Sequence, residues 1–177
     1  FILRETAELR ITSVHRKEMT NTIGMDGDED GKPWERSLGE FLREAVARKP
    51  DKVFLEIGGQ GTTYQECLRR SEEISAMFRA LGVSRGDRVA LFLPNCPEFL
   101  YCWFGLSLLG VISVPVNTAY KRDETAYILN NSEAVALVGH QSLLPVAGPA
   151  AQLAPSVLHK FVVGIEGEEA PYLSEDW

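Results

Sequence analysis

A chain of 177 residues, 45% hydrophobic and 24% charged, is long enough for one packed domain and short of two. Its formal net charge of −7 removes the electrostatic case for a nucleic-acid surface, which needs clustered Lys and Arg. Cys67, Cys96 and Cys102 form no CxxC pair, and His15, His140 and His159 lack ligand-like spacing. Neither a disulfide framework nor a zinc site is expected, and a reducing cytoplasmic setting fits best.

The chain opens on Phe1 with no signal-peptide pattern after it, and Met19 and Met25 are candidate starts. Residues 26–31, Asp-Gly-Asp-Glu-Asp-Gly, are too acidic and Gly-broken to bury apolar area. Residues 1–36 therefore read as a flexible acidic tail or an upstream leader. Ser37-Leu38-Gly39-Glu40 spells a capping box, and Leu38, Phe41, Leu42, Ala45 and Val46 follow as one apolar stripe of a helix closed by Pro50. Lys52 to Ile57 is β-prone, and Gly58-Gly59-Gln60-Gly61 turns it into a hairpin. Thr63-Tyr64-Gln65-Glu66 is a second capping box. Cys67, Leu68, Ile74, Met77, Phe78 and Leu81 recur behind it at helical spacing, with Gly82 placed to stop the helix.

Arg85-Gly86-Asp87 is a turn before a β run from Arg88 to Leu93, and Pro97 suits the first turn of a helix reaching about Gly110. Val111 to Val114 reads as a buried strand ending at Pro115. Then come a helix over 123–131, a strand over 134–138, an interrupted helix over 141–153 and a strand over 160–163. Alternating strands and helices predict an α/β fold, a mostly parallel sheet flanked by helices.

The run from Phe99 to Tyr120 carries no charge and approaches the length of a membrane span. Gly105, Gly110 and the β-like tail with its proline favour a buried helix followed by a buried strand. Gly59-Gln60-Gly61-Thr62-Thr63 resembles a phosphate loop in composition, but no Lys follows before Lys121, so a hairpin turn is the better reading. Asn95 and Asn117 each follow a predicted strand end, where ligands of open α/β sheets bind, and are the cleft candidates. No residue pattern marks a catalytic residue or a metal ligand.

Phrases carry more than periodicity does. Thr63-Tyr64-Gln65-Glu66-Cys67 resembles the opening core motif of adenylate-forming enzymes, with Cys67 where Leu is usual. Leu81-Gly82-Val83, Arg85 to Ala90 and Leu93-Pro94-Asn95-Cys96-Pro97-Glu98-Phe99 follow in register, and Gly105 to Asn117 matches the second core motif. Glu124 to Asn131 resembles the helix that comes next. Over about 37–165 the chain resembles the N-terminal α/β subdomain of acyl-CoA synthetases in the AMP-binding superfamily. The Asn-Cys-Pro-Glu-Phe and Cys-Trp-Phe-Gly phrases are similar to the crotonobetaine/carnitine-CoA ligase branch.

That resemblance implies a two-step reaction. A carboxylate attacks the α-phosphorus of ATP with Mg to give an acyl-adenylate, and CoA then displaces AMP. A small carboxylate is the expected partner, with no nucleic acid and no transmembrane span. The family's Thr-Ser-Gly-rich phosphate loop with its Lys-Gly, its Tyr-Gly-x-Thr-Glu segment and its catalytic Lys do not occur in this sequence. Residues 166–177 read as a truncated end, so the fragment is expected to be inactive alone and to hold none of ATP, Mg or CoA tightly. A non-catalytic α/β interaction module and a non-functional gene fragment remain the alternatives.

Overall fold

The computed structural model describes residues 37–164, so the readings of 1–36 and 166–177 fall outside the described residues. Helix α1 (Leu38–Arg48) opens the fold. Its capping box is complete: Ser37 Oγ accepts the Glu40 N–H at 3.2 Å, and Glu40 Oε2 accepts the Ser37 N–H at 2.6 Å. The hairpin follows as β1 (Val53–Ile57) and β2 (Gln60–Thr63), antiparallel, with Ile57 opposite Gln60. Gly58 and Gly59 form the two-residue turn at φ +59° and +79°, which glycine tolerates without a steric penalty. The Gly-rich segment is thus a hairpin, and the phosphate-loop alternative has no geometric support.

Helix α2 (Tyr64–Ala80) starts on Thr63, whose Oγ1 accepts the Glu66 N–H at 3.1 Å. Only half of the expected capping box forms here. The Glu66 carboxylate is drawn away by Arg69 and Arg70, at 2.6 and 3.0 Å, instead of reaching back to the Thr63 N–H. Gly82, at φ +83°, ends the helix as expected.

Strand β3 (Arg88–Phe92), helix α3 (Pro97–Leu109), strand β4 (Ile112–Pro115), helix α4 (Arg122–Ser132) and strand β5 (Ala136–His140) come next. A 3-10 turn over Gln141–Leu143, helix α5 (Leu144–Ala151) and strand β6 (His159–Val163) complete the described residues. The four strands β3–β6 form one parallel sheet in the order β4-β3-β5-β6.

The sheet separates two cores. Val89, Leu91, Ala136, Val138, Phe161 and Val163 point to one face, where α1, α2 and α3 supply Leu42, Ile74, Phe78 and Leu106. Ala90, Phe92 and Leu137 point to the other, against Ala126 and Leu129 of α4 and Ala147 and Ala150 of α5. Strands covered on both sides read as unbroken apolar runs, which is how Val89–Phe92 reads. Helices α2 and α3 approach closely at Gly105, where a Cβ would stand 2.6 Å from the Ser71 carbonyl oxygen.

Two sequence expectations fail in burial, though the elements themselves form. Among the described residues the predicted buried strand over 111–114 is an edge strand: Val111 is buried, but Ile112 is 52% exposed, and β4 pairs there with β3 alone. The apolar stripe of α1 is covered on one side only. Gly39 and Leu42 are buried, whereas Leu38 and Phe41 remain 41% and 40% exposed. Gly39 turns inward because α1 lies so close to Leu108 and Ser107 of α3 that only a residue without a side chain fits. Among the described residues no helix is long and apolar enough to cross a membrane, and the uncharged 99–120 run is divided between α3 and β4.

Candidate functional site

In a parallel sheet the strands' carboxyl ends leave a crevice where the chain departs from two neighbouring strands away from each other, through helices on opposite faces. Here β3 runs into α3 on one face, and β5 runs into α5 on the other. These strands are neighbours, with Phe92 opposite Gly139, so the switch point lies between the segments that follow them, 93–96 and 140–143.

Asn95 stands at this point, exposed, in the bend between β3 and α3. Asn117 lies one strand further out, past the end of β4. Its Oδ1 accepts the Ala119 N–H at 3.0 Å and its carbonyl accepts the Tyr120 N–H at 3.0 Å, so the residue builds its own turn. The two cleft candidates therefore share the sheet's carboxyl edge but not one position on it.

His140 occupies the matching place as the last residue of β5. Its Nδ1 accepts the Ser142 N–H at 3.2 Å and lies 2.8 Å from the Ser142 hydroxyl. Accepting that N–H places the neutral ring's proton on Nε2. The ring lies against Gly164, whose φ is +80° and where an added Cβ would come within 2.6 Å of the His140 Cδ2. Sequence reasoning tested His140 only for metal-ligand spacing. Its position directly after a predicted strand, the same signal that marks Asn95 and Asn117, was the one that would have found it.

Cys96, the residue before α3, is no nucleophile. Burial first, and then the neighbouring Glu98 carboxylate, push its thiol up to about 12. Burial likewise pushes Cys67 up to about 12 and raises Cys102, so all three free thiols stay protonated and pack as small hydrophobes. Tyr101 is raised chiefly by burial too, and its hydroxyl lies 3.1 Å from Thr62 Oγ1, tying the hairpin to α3. Among the described residues no group of three or more His, Cys, Asp or Glu could hold a metal ion. The crevice offers amide and imidazole donors and acceptors, which suit holding a polar ligand rather than attacking one.

Residues 42–175 match the AMP-binding enzyme family, and the chain belongs to it. Over 114 residues it is 44% identical to the crotonobetaine/carnitine–CoA ligases of Escherichia coli O139:H28 and Shigella sonnei. The match takes in 63% of this chain and 22% of each relative, so the chain spans about a fifth of their length. Among solved structures, an anthranilate CoA ligase in complex with anthranoyl-AMP superposes with a TM-score of 0.72 at 27% identity, over 78% of this chain and 27% of that one. A long-chain-fatty-acid–CoA ligase from Archaeoglobus fulgidus gives 0.66 at 26% identity, over 74% and 28%. The four-stranded parallel sheet with helices on both faces is the fold these enzymes share with this chain.

Proposed function

We propose that this chain is the N-terminal part of an ATP-dependent acyl-CoA synthetase. The observation that carries this reading is the 44% identity to crotonobetaine/carnitine–CoA ligases over 114 residues. The complete enzyme would join a small carboxylic acid to CoA through an acyl-adenylate, consuming ATP with Mg and releasing pyrophosphate and then AMP. Such chemistry needs a preorganised cradle for the triphosphate and cations at the transferring phosphorus, because the transition state spreads negative charge over several oxygens.

The described residues supply the frame for that cradle. On this reading residues 37–165 would be the first α/β subdomain, and Asn95 and, one strand further out, Asn117 would serve as cleft residues rather than catalytic ones. The reaction would run in the cytoplasm, where unpaired thiols such as Cys67, Cys96 and Cys102 persist.

A chimera tests the reading. Residues 37–164 replace the matching segment of the E. coli crotonobetaine/carnitine–CoA ligase, and AMP release is followed with and without carboxylate and CoA. Carboxylate- and CoA-dependent AMP release is expected. A chimera that folds yet releases no AMP with any of a panel of betaine-like and straight-chain acids would refute it.

A further inference from the structure

We draw no further inference here: the strongest candidate, the side-chain cluster at the carboxyl edge of the sheet in which the His140 ring, held by Ser142, lies against Gly164, belongs to the site already described.

Discussion

Thr63 joins the hairpin to α2 through one hydroxyl, the acceptor for the Glu66 N–H. Glu66 is held by two arginines and does not reciprocate, so no second bond backs up the first. Thr63→Ala is therefore expected to cost about 1 kcal/mol, the usual cost of losing such a cap, read as a lower urea midpoint at unchanged slope. An unchanged midpoint would mean that α2 does not depend on this start.

The thiols give a second test at the same scale. Burial raises Cys67 and Cys96 from 9.0 to about 12, so the native state holds protons that the unfolded chain gives up at lower pH. Their stabilising contribution is present below pH 9 and is lost as the pH rises toward 12. Alkaline titration should show stability falling across that window. At pH 8 a thiol reagent should label the fully buried Cys67 only through unfolding. Rapid labelling in the native state would contradict the burial.

At the scale of elements, two glycines that look alike in sequence do different work. Gly82 ends α2 at φ +83° with nothing within 4 Å of where a Cβ would sit. Gly82→Ala is expected to cost about 1 kcal/mol, from backbone strain alone. Gly105 is in the middle of α3, where the added Cβ would meet the Ser71 carbonyl at 2.6 Å and Ile74 at 3.1 Å. Backbone cannot swing aside as a flexible side chain can, so Gly105→Ala must push α2 and α3 apart, costing about 1–3 kcal/mol as overpacked cores do. Thermal melts of the two variants should rank Gly105→Ala below Gly82→Ala.

This contrast shows where the sequence was legible. Caps, stops and strand runs are local, written in Ser37, Gly82, Pro97 and Arg88–Phe92, and each element forms within a few residues of its expected place. What neighbours an element is not local. Nothing in Val111–Val114 says that β4 would be an edge, and nothing in Leu38 and Phe41 says that Gly39 would take the inward place. The crevice was half legible for the same reason. The strand-end rule found Asn95 and Asn117, but only the strand order shows that β5, and with it His140, borders β3.

For the molecule as a whole, the deciding property is what the 177-residue chain does alone. Its cores account for a folded unit, since both faces of the sheet are covered. Its carboxyl edge displays amides, an imidazole held by Ser142 and a protonated thiol at Cys96. None of these neutralises a triphosphate, and the charged side chains that follow Asn95 and Asn117 most closely in sequence are Glu98 and Lys121, of opposite sign. Adenylation draws its rate from cations and backbone donors fixed around the transferring phosphorus, and an arrangement without them gives up most of that stabilisation. The isolated chain should therefore show no carboxylate-dependent ATP–pyrophosphate exchange above background across betaine-like, aromatic and straight-chain acids. The chimera carrying residues 37–164 should show it under the same conditions. Exchange by the isolated chain would place the phosphate-handling groups within these 177 residues. The first place to look would then be the crevice between β3 and β5, by substituting His140 and Asn95 in turn.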